Sequence, residues 1–431
     1  MNSRVGIGLL GLGTVGSGVI QIIKEHQEEL QHQVGSPITI EKVLVKDVEK
    51  QRSIEIDTDK LTTSPDEVIS DPDVDVVIEV MGGIHEAREY ILKALQQKKH
   101  IVTANKDLMA LYGPELLKAA SENQCDIFYE ASVAGGIPVI RSLVEGLSSD
   151  RITKIMGIVN GTTNYILTKM SQEGRSYEEV LAEAKELGFA ESDPTSDVEG
   201  LDAARKITIL ANLSFATNVD LEDVVVRGIT TVTLEDIEYC EQLGYTIKLI
   251  GLAQRDEGKL ELTVQPTLIP NSHPLASVND EYNAVYVYGE AVGETMFYGP
   301  GAGSLPTATA VVSDLVTVVK NMKLGVNGRS ITGPLHSKEM KSDEESKAKY
   351  FLRLHVKDET GTFATLTSLF SKHDVSFEKL LQWPIKGEET AEVVIITHQT
   401  TRATYEEIYK KLEELDIVLD VKSTYRVEGG N

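Results

Sequence analysis

The most informative stretch of the chain is Gly188-Phe189-Ala190-Glu191-Ser192-Asp193-Pro194, followed by Asp197, Asp202 and Lys206. Asp202 and Lys206 stand at i and i+4 in a segment that reads as one helix through Leu213, so they share a face. That face continues through Ile209 and Leu213, which draws the lysine at least partly out of water; a lysine so placed needs a partner or a task. Two readings stay open from the residues alone. As an exposed ion pair, Asp202 and Lys206 would contribute about 0.3–0.5 kcal/mol. As a catalytic pair, Lys206 would donate a proton to a carbonyl oxygen as hydride arrives at its carbon, with Asp202 orienting it.

Hydride chemistry needs a carrier, and Gly11-Leu12-Gly13-Thr14-Val15-Gly16 offers a place for one. The run follows an apolar strand and opens a helix, the setting in which Gly-x-Gly-x-x-Gly binds a dinucleotide. Gly11 permits the tight turn, Gly13 lets the backbone approach a pyrophosphate, Gly16 allows close packing, and the first-turn amides at Thr14 and Val15 face the anion. At the end of the second strand stand Val45-Lys46-Asp47. Lys46, with Arg52 nearby, suits a 2′-phosphate and so NADP, whereas Asp47 suits the bare ribose of NAD. Thr103-Ala104-Asn105-Lys106 closes a later strand, on the side where open α/β sheets bind ligands, and makes Lys106 a second candidate.

The elements needed to hold these groups follow from the apolar pattern. Strands at Val5–Leu10, Thr39–Val45, Val74–Met81 and Ile101–Thr103, with helices at Thr14–Leu30 and Glu86–Gln97, predict a doubly wound parallel sheet of Rossmann type. Asp126–Glu130 would add a last strand before Gly135, Gly136 and Pro138. Beyond about residue 140 the alternation gives way to an α+β pattern. There Ser176 and Glu179 form a capping box, Gly188 stops the helix, strands run over Leu260–Val264 and Val285–Tyr288, and a helix opens at Pro306 with an apolar run from Val311 to Val319. His336–Lys349 is polar enough to serve as a linker. The remainder reads strand Tyr350–Val356, helix Phe363–Lys372, strands near Val375–Leu381 and Glu392–Thr397, helix Tyr405–Leu415 and strand Ile417–Val427. That is the ferredoxin-like order βαββαβ. The expected domains are 1–135, 136–335 and 350–431.

With 431 residues, 41% of them hydrophobic and 25% charged, the chain can build such cores, and its length calls for two or three of them. A formal charge of −25 argues against nucleic acid and anionic membrane surfaces as partners. Cys125 and Cys240 are too few for a disulfide framework or a thiolate zinc site, which fits a reducing, cytoplasmic setting. Arg4 and the apolar residues to Ile20 resemble a signal peptide, but six glycines between Gly6 and Gly18 weaken its helix.

The chain resembles homoserine dehydrogenase, in the bacterial form with a C-terminal ACT domain. The carriers are the Gly11–Gly16 loop, Thr103-Ala104-Asn105-Lys106, Asn160-Gly161-Thr162-Thr163-Asn164-Tyr165, the Gly188–Lys206 block, and Tyr298-Gly299-Pro300-Gly301-Ala302-Gly303, spread over nearly the whole length. The resemblance implies NAD(P)H-dependent interconversion of L-aspartate 4-semialdehyde and L-homoserine, on the route to threonine and methionine. It implies Lys206 as proton donor and Lys106 as a second cation. Glu191 and Asp202, with Asp197, would hold the substrate's amino and hydroxyl ends, and Gly161 and Thr162 would position it. Gly188, Glu191 and Gly303 would approach the nicotinamide half of the cofactor, and Thr103 and Lys106 would also border it. Glu130, Val133, Gly135 and Ile137 match the spacing at which the family binds a structural monovalent cation, sodium or potassium, largely through carbonyls. Family members often carry Tyr where this chain has Phe189. Asp358-Glu359-Thr360-Gly361 marks the turn of an ACT unit, implying an amino-acid effector, threonine, and a homo-oligomer, dimer or tetramer. Two competing readings are a related amino- or oxo-acid dehydrogenase and a non-catalytic NAD(P) sensor.

Overall fold

The computed structural model describes residues 4–52, 54–328 and 334–429. Its chain folds as two compact units, one built from 1–155, 205–222 and 283–338, the other from 156–204, 223–282 and 339–431.

In the first unit, β1 (Val5–Leu10) is buried at every position and lies centrally because no polar residue interrupts it. It pairs in parallel with β2 (Ile38–Leu44) and with β4 (Val76–Glu79). With β3 (Leu61–Thr62), β5 (His100–Thr103) and β6 (Ile127–Phe128) the order is β3-β2-β1-β4-β5-β6, all parallel. This is the predicted doubly wound sheet, and its order reverses beside β1, where such sheets bind ligands. Helix Ser304–Leu324 packs on the same core: Val311, Leu315 and Val318 join Val19, Ile20 and Ile23. Gly18 is what permits the approach, since a Cβ there would lie 2.7 Å from the Ser304 carbonyl oxygen.

Two expectations for this unit need correction. Thr14–Leu30 is two helices, Thr14–Glu25 and Gln27–Val34, broken at His26 (φ −109°, ψ 30°). The apolar period lapses over the polar residues Lys24–Glu29 and resumes only at Leu30 and Val34, which pack on the same core after the break. The strand expected over Asp126–Glu130 shrinks to Ile127–Phe128, followed by a 3₁₀ turn over Glu130–Ser132. Its flanking acids are committed elsewhere. Asp126 accepts from Asn321 Nδ2 (2.8 Å), Asn327 Nδ2 (2.7 Å) and the Gly328 amide (2.7 Å), and Glu130 accepts from the Ile140 and Arg141 amides (2.7 and 2.8 Å).

The second unit holds an antiparallel hairpin, Tyr245–Asp256 with Lys259–Pro270. Next comes the C-terminal βαββαβ: Lys347–Lys357, helix Thr362–Lys372, Phe377–Pro384, Thr390–Thr397, helix Arg402–Glu413 and Val418–Val427. Numbered by themselves, these four strands order 4-1-3-2, the ferredoxin-like arrangement expected. The sequence pattern did not disclose that the last of them adds in parallel to Lys259–Pro270, with Thr267 opposite Arg426. A buried ion pair between Arg426 and Glu261 spans that seam, and Glu261 also accepts from Ser346 Oγ at 2.6 Å.

The polar stretch His336–Lys349 is not a loose tether. Amides of Leu335 and His336 donate to the Ala216 carbonyl (2.7 and 3.0 Å) in the first unit. In the second, Lys341 donates its amide to Leu260 (2.8 Å) and its Nζ to Asp256 (3.0 Å), and the first C-terminal strand already begins at Lys347. Charge pairing holds this stretch where apolar burial cannot.

Candidate active site

The glycine loop lies at the carboxyl end of β1. Gly11 has φ +104°, and a Cβ there would lie 2.8 Å from Met81 Cα; at Gly16 it would lie 2.3 Å from the Gly11 carbonyl oxygen. Both glycines are therefore required by the fold. Gly13 differs, because a Cβ there meets nothing within 4 Å. It caps helix Thr14–Glu25 without a side-chain hydrogen bond, so the first-turn amides, including those of Thr14 and Val15, point where an anion would bind. Gly13→Ala is accordingly expected to leave the melting temperature unchanged while raising the dinucleotide dissociation constant at least about tenfold. Calorimetric titration checks it, and unchanged affinity would refute the placement of the pyrophosphate.

Lys46 and Asp47 stand exposed just past β2, at the carboxyl edge of the sheet, the edge at which such sheets bind ligands. Arg52, nearby, donates to the carbonyls of Asp47, Val48 (3.3 Å) and Lys50 (2.7 Å). Gly303, at φ +122°, caps Ser304–Leu324, and Ser304 Oγ donates to the Thr14 carbonyl at 2.7 Å, which brings that glycine beside the loop.

At the ends of β4 and β5 a buried network fixes the approach to Lys106. Glu79 accepts from Thr103 Oγ1 (2.6 Å) and the Met81 amide (2.9 Å), and burial raises its pKa against these bonds. Thr103 Oγ1 accepts the Asn105 amide at 3.0 Å. The Asn105 side chain then caps helix Lys106–Glu122 through the Leu108 amide (3.1 Å) and holds the Gly83 carbonyl (2.7 Å). Lys106, half-buried, is the first residue of that helix. Its neighbour Asp107 accepts from Arg205 Nε at 2.6 Å, and Arg205 immediately precedes Lys206. One ion pair thus ties together the two segments that carry the candidate cations.

Glu130, Val133, Gly135 and Ile137 lie on one turn, with Ala134 and Gly135 at positive φ (+55° and +54°). Glu130 is buried, its pKa raised by desolvation against the two amides it accepts, and the Ile137 carbonyl already takes the Val139 amide at 2.8 Å. Asp314 lies alongside, accepting from the Glu130 amide and Arg141 (both 2.8 Å); burial pushes it up to about 7 despite these partners. No group of three or more His, Cys, Asp or Glu able to hold a metal occurs among the described residues.

In the second unit the focus is Asn160, a residue whose side chain the sequence reading left without a role. Its Nδ2 donates to Asp197 (2.7 Å) and to Asp202 (2.9 Å), and its Oδ1 accepts from the Thr163 amide and hydroxyl (both 2.9 Å), capping helix Gly161–Glu173. The signal was present as Asn-x-x-Thr ahead of a helix. Asp202 is 4% exposed and sits in the first turn of Leu201–Phe215, the continuous helix that carries Lys206 one turn later. Gly161 leans on the Glu281 carbonyl, where a Cβ would come within 2.6 Å. Thr162 Oγ1 donates to the Phe189 carbonyl at 2.6 Å, joining this helix start to the Gly188–Pro194 loop. Gly188 turns that loop at φ +79°, as its position after Tyr177–Glu186 predicts, and the Ser176/Glu179 capping box is formed in both directions. Phe189 stacks obliquely on Tyr165, ring centres 4.9 Å apart, where a tyrosine would have offered a hydroxyl. Glu191 is exposed on the same loop.

Known proteins share the sequence and fold of this chain. The family model for the homoserine dehydrogenase NAD-binding domain matches residues 11–130, that for homoserine dehydrogenase 138–316, and that for the ACT domain 350–416. Homoserine dehydrogenase of Bacillus subtilis is 65% identical over 424 residues, 98% of this chain and 98% of that protein. The crystal structure of homoserine dehydrogenase from Thiobacillus denitrificans superposes with a TM-score of 0.92 at 39% identity, covering 99% of this chain and 98% of that one. That of S. aureus homoserine dehydrogenase at pH 6.5 gives 0.80 at 42%, covering 99% and 100%. A nicotinamide-binding sheet, a paired carboxylate and lysine on one helix, and a C-terminal ACT fold thus occur together in a chain that belongs to the homoserine dehydrogenase family, oxidoreductases acting on a CH–OH group.

Proposed function

We propose that the chain interconverts L-aspartate 4-semialdehyde and L-homoserine with NADPH, in the cytoplasm, on the route to threonine and methionine. The observation that carries the site assignment is the Asn160 amide holding Asp197 and Asp202 at the head of the helix that bears Lys206. The Gly11–Gly16 loop would hold the pyrophosphate of the dinucleotide, whose nicotinamide, when bound, would supply hydride to the aldehyde carbon or accept it from the alcohol carbon. Lys206 gives its proton to the oxygen as negative charge develops there, and in reverse takes the hydroxyl proton. Lys106 adds a second positive charge against that oxygen. Asp202 and Asp197, oriented by the Asn160 donor, hold the substrate's ammonium and hydroxyl with Glu191, while Gly161 and Thr162 set its distance. Gly188, Glu191 and Gly303 would border the nicotinamide, and Thr103 and Lys106 would also border the cofactor. Lys46 favours NADP over NAD because it stands exposed where a 2′-phosphate would lie.

The Glu130–Ile137 turn offers one buried carboxylate and backbone carbonyls, a hard-oxygen set that fits a sodium or potassium ion in a structural role. The ACT unit binds threonine at a pairing of C-terminal sheets in a dimer or tetramer. Homoserine-dependent reduction of NADP followed at 340 nm, repeated with NAD and with added threonine, tests the substrate, the cofactor and the effector. We expect reduction with NADP and inhibition by millimolar threonine. Absence of reduction with either cofactor would overturn the substrate assignment, and indifference to threonine would leave the ACT unit to assembly.

A further inference from the structure

Lys248 is 1% exposed, among the largest fully buried side chains of the chain, and it lies on the hairpin strand Tyr245–Asp256. Its ammonium donates to three neutral oxygens: Asn164 Oδ1 (3.1 Å), the Val278 carbonyl (2.6 Å) and Asn279 Oδ1 (3.3 Å). Asp280 is the acid that acts on it from the adjoining turn, and Asp280 itself is 3.6 Å from Lys169. Burial lowers its pKa to about 8, with Asp280 working in the opposite direction. A buried cation without a carboxylate in contact costs stability, and an apolar side chain of similar length would be cheaper.

What the ammonium does provide is polarity of orientation. Lysine only donates, so Asn164 must turn Oδ1 toward it. Asn164 Nδ2 then donates to the carbonyls of Val278 and Tyr282, both at 3.1 Å. The 278–282 turn is thereby pinned on the helix Gly161–Glu173, with the Asp280 amide adding a bond to Thr168 Oγ1 at 3.1 Å. The Glu281 carbonyl of this turn is the surface on which Gly161 rests.

We propose that Lys248 is a positioning residue for the amino-acid substrate: by fixing the Asn164 amide and the 278–282 turn it sets where Gly161 and Thr162 stand. It touches neither substrate nor cofactor, and it belongs to the second unit, whereas the glycine loop that binds the dinucleotide belongs to the first. Its effect should therefore fall on one substrate and spare the other. The proposal rests on reading the Asn160–Asp202 cluster as the substrate side of the site.

The test is steady-state kinetics on the full chain with Lys248→Met and Asn279→Ala, beside Lys206→Ala. Lys248→Met is expected to raise KM for homoserine at least about tenfold while KM for NADP stays within about twofold, and Asn279→Ala to shift the same constant in the same direction by a smaller factor. If Lys248→Met does not fold, Asn279→Ala carries the test alone. An unchanged homoserine KM in the folded variants, or equal shifts in both KM values, overturns the proposal. Retained turnover in Lys206→Ala would instead overturn the substrate-site reading beneath it, so the two failures are told apart.

Discussion

Lys206→Met is expected to lower kcat by about 10³-fold or more while the dissociation constant for NADP stays within about twofold. The side chain keeps its length, so the helix Leu201–Phe215 and its packing are preserved. On the mechanism proposed above, the loss is of a proton donor at the oxygen that receives charge. A positioned general acid contributes about 10²–10⁴-fold. In the proposed role it would also supply positive charge, so its removal belongs toward the upper end. Arg205 cannot substitute, because it is held 2.6 Å from Asp107 and a guanidinium does not give up its proton. The measurement is turnover beside a fluorescence titration of the cofactor. Full turnover would remove Lys206 from the mechanism; lost cofactor binding would mean that the substitution had disturbed the first unit instead.

What the sequence disclosed of this arrangement followed the range of each interaction. The Gly11–Gly16 loop, the Ser176 capping box and the stop at Gly188 are decided within a few residues, and all three stand as read. Asp202 and Lys206 were legible as a pair because a helix fixes i and i+4 whatever surrounds it. The hairpin strand Tyr245–Asp256 was not legible, since it is buried on both faces almost throughout and so shows no alternation to separate it from a helix. Helix Gly161–Glu173 fails for the same reason, being buried on most sides from Thr162 to Thr168. The grip of Asn160 on Asp197 and Asp202 joins residues 37 and 42 positions apart, and no local pattern records it. Phe189 was visible as a departure, but only the fold supplies its partner, the Tyr165 ring.

The C-terminal fold raises the same matter of range, and its buried charges suggest the second large effect. Asp236, 0% exposed, lies on helix Leu234–Gln242 and accepts from Arg353 Nη1 (3.1 Å), Ser423 Oγ (2.5 Å) and Tyr425 Oη (2.7 Å). It also closes the Thr233 capping box. Arg353 stands on the first strand of the βαββαβ and Ser423 and Tyr425 on its last, so one carboxylate binds that sheet to the helix that leads into the Tyr245–Pro270 hairpin. Burial raises the Tyr425 pKa, and Asp236 raises it further, which keeps the phenol a donor throughout the working pH range. Asp236→Ala leaves two hydroxyls without this acceptor and Arg353 with Glu392 as its remaining carboxylate (2.9 Å). Breaking a buried pair from one side costs about 3–5 kcal/mol, whereas Asp236→Asn keeps an acceptor and should cost less. Denaturant unfolding measures the difference, and hydrogen exchange locates it: the amides of Lys347–Lys357 and Val418–Val427 should lose protection while those of β1 and β4 keep theirs. Equal stability in Asp236→Ala would show that the surrounding apolar contacts alone hold the C-terminal sheet. A large loss confined to these strands would identify Asp236 as the joint that fastens the C-terminal sheet to the helix leading into the hairpin that carries Lys248.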